Sequence, residues 1–148
     1  MEKETNERER FTLPRYQDIP DVGLYLDQVV KYINSFLEGS GEVTASMLTN
    51  YIKHKIVKRY NRKTYVRDQI SCFFFIALVK SILPLDKIKI LLDQNSDPSF
   101  EAYYERFRSE LILQQENGKS KEDEFLQKLV STILNMIYLE DMIQTKEE

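Results

Sequence analysis

Residues 67–83 set the terms for any fold of this chain. Ile70, Phe73, Phe74, Ile76, Ala77, Val79 and Ile82 crowd into one stretch, and three phenylalanines, Phe73-Phe74-Phe75, stand side by side. Successive helical residues turn by about 100°, so adjacent aromatic side chains cannot share one face of a helix. A helix this apolar around its circumference has no side to give to water. It is predicted as the central core element, packed on two sides, with the C-terminal helices a candidate cover for one of them. Pro84 either stops this helix or begins the next.

The rest of the chain reads as cover for that element. Residues 1–10 are polar, have no aromatic anchor and are expected to be disordered. Residues 11–21 contain Pro14 and Pro20 among alternating apolar positions, which predicts an extended segment pinned to the body. Asp21 is a good N-cap for a first helix at 22–37, with Val22, Leu26, Val29, Val30 and Ile33 at helical spacing. Gly39-Ser40-Gly41 ends it. Thr44 caps a second helix whose apolar face is Met47, Leu48, Tyr51 and Ile52. Residues 57–60 and 63–66 are β-branched, aromatic and basic on either side of Asn61-Arg62, a pattern that predicts a small hairpin. Further helices are expected at 85–93, 99–115 and 120–145, the last with Ser120 and Asp123 or Glu122 forming a capped start. Only four Gly and four Pro among 148 residues argue against a turn-rich all-β design. The expected division is a tail at 1–10, a first domain at 11–93 and a helical extension at 99–146 serving packing or dimerisation.

Charge is distributed unevenly over this plan. Between Val43 and Arg67 there are seven Lys or Arg and no Asp or Glu, in a chain of net charge −3, so the remainder sums to −10. A local reversal of sign against an acidic background suits a surface that meets phosphate. The order is helix, short link, polar-faced helix, basic hairpin, core helix, which is the order of a winged helix-turn-helix. The second helix carries small or polar residues opposite its apolar face and suits the major groove. Asn50 has the amide that pairs with adenine. Thr44 and Ser46 lie at the helix N-terminus, where backbone amides point outward toward phosphate. Lys53, Lys58, Arg59, Arg62, Lys63 and Arg67 are the candidate phosphate contacts. Four to six such contacts make affinity fall steeply with salt. A solvated basic face is the plainer account of the same charges.

Other chemistry finds little support. His54 and Cys72 are single, which excludes the usual zinc clusters and any internal disulfide. No Gly-rich phosphate loop, Ser-His-Asp grouping or cofactor motif is present, so no catalytic residues, metal or cofactor are expected and the chain is not read as an enzyme. Cys72 beside the phenylalanines reads as a buried, inert thiol. Asp97, Glu101 and Glu105 share helical spacing but read as a solvated face. Tyr103, Tyr104 and Phe107 serve core packing or line a ligand pocket. Residues 1–10 are charged and do not read as a signal peptide, and no apolar run reaches the roughly 18 residues a membrane helix needs, so a cytoplasmic protein with no membrane partner is expected. A heptad runs through Leu126, Leu129, Ile133 and Met136 until Glu140 breaks it. The wide apolar face of the last helix is buried either in its own domain or against a second copy, and a homodimer fits the pairing of half-sites by groove readers.

The stretch 43–54 through Lys63-Thr64-Tyr65 resembles the recognition helix and wing of MerR-type regulators, and Arg67-Asp68-Gln69-Ile70 with residues 85–92 resembles their next two helices. Leu13-Pro14-Arg15-Tyr16, Ile19-Pro20-Asp21 and residues 24–29 are similar to an uncharacterised bacterial family known as domain of unknown function 1836. The resemblance covers about residues 11–93. It implies a mainly α fold: a MerR-like winged helix-turn-helix with a small two-stranded wing, followed by the helical extension. MerR regulators have a glycine after the recognition helix, where this chain reads His54-Lys55-Ile56-Val57. The implied function is a transcriptional regulator whose partner is double-stranded DNA, with any small-molecule effector unknown. The alternative is an adaptor module that keeps the fold without the DNA.

Overall fold

The long apolar segment forms α3, Arg67–Val79, at the centre of the molecule, with every residue from Gln69 to Val79 buried. The computed structural model describes residues 12–118 and 120–147, and the tail expected at 1–10 lies outside them. Around α3 stand α1 (Leu26–Phe36), α2 (Ala45–Lys53), α4 (Leu85–Asn95), α5 (Glu101–Gln115) and α6 (Glu124–Glu147). Two short strands, β1 (Leu24–Tyr25) and β2 (Thr64–Tyr65), and a 3-10 turn at Tyr16–Asp18 complete the described elements. The fold is mainly helical with one small antiparallel sheet.

The three phenylalanines distribute α3 over its neighbours. Phe73 meets Tyr51 of α2 and Tyr65 of β2 at ring-centroid distances of 6.4 and 5.8 Å. Phe74 meets Tyr32 and Phe36 of α1 at 6.0 and 5.7 Å, and Tyr104 of α5 at 6.4 Å. Phe75 meets Phe100 just before α5, and Tyr103 and Phe107 within it, at 5.4, 5.8 and 4.9 Å. Most of these pairs are edge-to-face, the arrangement the ring quadrupoles favour. The expected two-sided packing is thus three-sided, one side per residue, because each step along the helix turns the next ring toward a different neighbour. Tyr103, Tyr104 and Phe107 are spent on this core. The extension beginning at residue 99 shares the core of the preceding residues through these contacts.

Three local expectations change. The first helix starts at Leu26 instead of 22, because Gly23 has φ +80° and Leu24-Tyr25 are extended. Asp21 caps no helix beside it; its carboxylate accepts the backbone N–H of Arg67, at the start of α3, at 3.0 Å. The hairpin between 57–60 and 63–66 does not form. Residues 64–65 are a strand, but they pair with β1, Leu24 opposite Tyr65 and Tyr25 opposite Thr64. The reason lies just before the hairpin. Lys55 has φ +59° and turns the chain sharply out of α2, so that the Ile56 and Val57 N–H groups both reach the Tyr51 carbonyl. Ile56 and Val57 are then buried, so Val57, the first residue of the expected strand, serves the core, while Lys58, Arg59 and Tyr60 are exposed.

The segment before β1 is pinned as expected, by polar groups on two helices. Arg108 donates to the Leu13 carbonyl at 3.0 Å, the Tyr104 hydroxyl to the Pro14 carbonyl at 2.7 Å, and the Tyr16 N–H to Glu105 at 2.6 Å. Asp68 of α3 accepts both the Tyr16 hydroxyl at 3.0 Å and the Phe100 N–H at 2.8 Å. Glu105, expected on a solvated face, therefore holds this strap. At the far end Asp123 caps α6 through the Leu126 N–H at 3.0 Å, while the Ser120 N–H goes to the buried Glu110. No helix among the described residues is long and apolar enough to cross a membrane.

Candidate nucleic-acid interface

α2 is placed by contacts on both sides of the loop that leads into it. The Asn34 side chain on α1 bonds the N–H and the C=O of Val43, each at 2.8 Å. Gly41 has φ +84°, and a Cβ there would lie 2.9 Å from the Ala77 carbonyl of α3, so only glycine passes this close. Lys80 donates to the Glu42 carbonyl at 3.1 Å. Thr44 then caps the helix, its hydroxyl accepting the Met47 N–H at 3.2 Å.

With its start fixed, α2 divides as the spacing predicts. Leu48, Tyr51 and Ile52 are buried, while Ala45, Ser46, Thr49, Asn50 and Lys53 are exposed. The Thr49 hydroxyl turns back onto the carbonyls of Ala45 and Ser46. The side chains of Asn50 and Lys53 extend to solvent.

The chain then runs into a loop, residues 58–63, that carries the remaining cations. Lys58, Arg59, Arg62 and Lys63 are all exposed. Arg59 donates to the Arg62 carbonyl at 3.2 Å, which closes the loop tip. Lys58 lies 5.7 Å from the centre of the Tyr60 ring. Among the described ion pairs none involves these side chains, Lys53 or Lys55. Six of the seven cations in the run are therefore exposed and unneutralised.

Arg67 differs from the rest of the predicted set. Its guanidinium donates to the carbonyls of Ile19 at 2.8 Å and Gln17 at 3.1 Å and lies over the Tyr16 ring at 5.7 Å. Local composition could not reveal that use, because the strap that supplies the carbonyls is about fifty residues away in sequence.

Two exposed aromatics escaped the reading of the sequence. Tyr60 sits among the loop cations, and Tyr25 stands across the sheet from Thr64, next to Lys63. Gly23 was the available signal for Tyr25: a glycine in the expected first helical turn marks an extended entrance better than a helix. His54, at the end of α2, is exposed. Cys72 is buried, and burial pushes its thiol well above the ordinary value. No group of His, Cys, Asp or Glu able to hold a metal occurs among the described residues.

A separate cleft of about 900 Å³ opens between the 38–41 loop and the second half of α6. Glu38, Glu140, Asp141 and Gln144 contribute to its lining, so its electrostatic sign is opposite to that of the α2–loop region.

No curated protein and no solved structure matches the chain. A family model, Domain of unknown function (DUF1836), matches residues 14–107, which span the strap, both strands, α1 to α4 and the first half of α5. On that match, over well more than half its length, the chain belongs to the DUF1836 family.

Proposed function

We propose that this protein is a bacterial, cytoplasmic, MerR-like winged helix-turn-helix DNA-binding protein that regulates transcription without catalysis. The observation that carries the reading is the pairing of an exposed, acid-free α2 face with an exposed cationic loop directly after it in the chain. Ser46, Asn50 and Lys53 approach the major groove, with Thr44 at the helix start. Lys58, Arg59, Arg62 and Lys63 hold backbone phosphate, and Lys55 joins them. Arg67 leaves the set because carbonyls of the strap occupy it. The sheet takes the place of the expected hairpin as the wing's base, with Tyr25 beside its cationic edge.

Fluorescence anisotropy with duplex DNA tests this reading. About five phosphate contacts give a loss of roughly 10²- to 10³-fold in affinity between about 50 and 200 mM salt. Lys53→Glu combined with Arg62→Glu abolishes binding and leaves folding intact, since both side chains are exposed. Absence of binding by the unmodified protein at about 50 mM salt would refute the proposal.

A second reading, an adaptor that kept the fold, is favoured by the net −10 outside the basic run, which repels duplex. The same titration separates the two. In the regulator reading two copies pair, and the exposed apolar residues at the end of α6 support a homodimer.

A further inference from the structure

We propose that Gln69 is the positioning residue that holds the basic loop in its phosphate-meeting form. Its side chain is 1 % exposed, inside the first turn of α3. Its oxygen accepts the Val66 N–H at 2.9 Å, and its nitrogen donates to the Lys58 carbonyl at 2.8 Å. Those two backbone groups stand at the two ends of the segment 58–66. One amide thus closes the neck of a loop that carries Lys58, Arg59, Arg62 and Lys63.

Little else holds the near side of that loop. Thr64 and Tyr65 are tied to β1, but residues 58–60 join no strand. Apart from the buried Val57 and the Lys58–Tyr60 ring contact, the ties on this side among the described residues are the Gln69 bond and the Arg59 contact at the tip. Only an amide side chain offers a donor and an acceptor together at this length: Glu lacks the donor when ionised, and Met lacks both. The two preceding residues act alike on other segments. Arg67 holds the carbonyls of 17 and 19, and Asp68 holds Tyr16 and Phe100. The first turn of the core helix therefore fixes three separate pieces of chain, and the loop is the piece assigned to Gln69. A loop ordered beforehand loses less freedom when it meets a polyanion, so the clamp contributes affinity without touching the ligand.

The affinity part rests on the DNA reading, whereas the clamp itself does not, and the test separates them. Gln69→Met removes both bonds at similar volume, and Gln69→Glu, at an alkaline pH that keeps it ionised, keeps the bond to Val66 and removes the one to Lys58. Native-state trypsin cleavage, mapped by mass spectrometry, is expected to rise about fivefold or more at Arg59, Arg62 and Lys63 in the Met variant. Cleavage at Lys31, Lys87 and Lys128 stays as in the unmodified protein, and the Glu variant falls between. Duplex affinity drops severalfold at every salt concentration while the slope against salt is unchanged, because the cations remain and only their ordering is lost. Arg62→Glu, by contrast, lowers the slope. Unchanged loop cleavage, or cleavage rising equally along the whole chain, overturns the clamp. Should the Met variant fail to fold, the Glu variant decides by the same cleavage ratio. Should the unmodified protein bind no duplex, the DNA reading falls and loop cleavage alone decides the clamp.

Discussion

Asn34 holds both backbone groups of Val43, accepting its N–H and donating to its C=O at 2.8 Å each. The contact joins the last turns of α1 to the residue just before the N-cap of α2. It fixes the angle at which α2 leaves the body before any α2 residue is reached. Removing the amide leaves two partly buried backbone groups without a partner. Asn34→Ala is therefore expected to cost about 2 kcal/mol, and Asn34→Asp, which keeps the acceptor, about half that. Urea denaturation measures both. A cost under about 0.5 kcal/mol for the alanine variant shows that the loop is held without this clamp.

Lys55 occupies the place where a helix usually ends on glycine. Its φ is +59°, its N–H reaches the Ile52 carbonyl, and the following N–H reaches Tyr51, the double bond pattern that closes a helix C-terminus. A side chain in the left-handed region costs roughly 1 kcal/mol, partly offset by the greater freedom glycine has when unfolded. Lys55→Gly should raise stability by up to about 1 kcal/mol in the same urea experiment. Under the DNA reading it also removes one phosphate contact, reducing the salt slope by about 1. Greater stability with weaker binding is the expected pair, and a clear loss of stability contradicts the strain argument.

This residue marks a boundary between what the sequence made legible and what it did not. The central helix, the capped start of α2 at Thr44 and the apolar faces were readable because each depends on neighbours within one or two turns. The partner of residues 64–65 was not, because a two-residue strand pairs with residues 24–25 on geometry set elsewhere. Asp21 and Arg67 have partners that the local sequence does not show, for one shared reason. Each looked like a local cap or a free cation, and each is engaged across nearly fifty residues, Asp21 with the start of α3 and Arg67 with the strap. With no glycine at 55 the tight turn has no local signal, and that turn sends Val57 into the core and leaves 58–60 as an exposed loop instead of a strand.

Burial leaves a mark on the alkaline limb of stability. Tyr103 packs between Phe75 and Phe100, and burial pushes its hydroxyl up to about 12, with Asp123 raising it further and Arg106 opposing. Tyr16 and Tyr104 shift in the same direction, again chiefly through burial. An unfolded tyrosine ionises near 10. Between about pH 10 and 12 the unfolded chain therefore releases protons that the folded chain keeps, which favours unfolding. The stability linked to Tyr103 is full below about pH 10 and is lost as pH rises through about 12. Urea midpoints at pH 8, 10 and 11.5 are expected to show that fall. Tyr103→Phe should make it shallower and change little at pH 8, since no hydrogen bond of this hydroxyl occurs among the described residues. An unchanged alkaline slope in the variant removes Tyr103 as a contributor.

α6 changes character along its length, and the proposed homodimer would use the change. Leu126, Leu129, Val130 and Ile133 are buried, whereas every residue from 138 to 146 is exposed. At about 100° per residue, Tyr138, Leu139, Met142 and Ile143 lie nearly opposite the buried stripe. Glu140, Asp141 and Gln144 fall toward the body and line the acidic cleft, so Glu140 interrupts only the inward heptad. The outward face, with Leu139 at 55 % and Ile143 at 59 % exposure, is left uncovered by the other described residues. Four residues make a small patch, so pairing through it should be reversible and dependent on concentration. Sedimentation velocity from about 5 to about 500 µM is expected to show monomer giving way to dimer. Leu139→Glu with Ile143→Glu should remain monomeric throughout and melt as the unmodified protein does, because neither side chain touches the core. If the unmodified protein stays monomeric at the highest concentration, the homodimer is lost, and any DNA site must then be read by single copies.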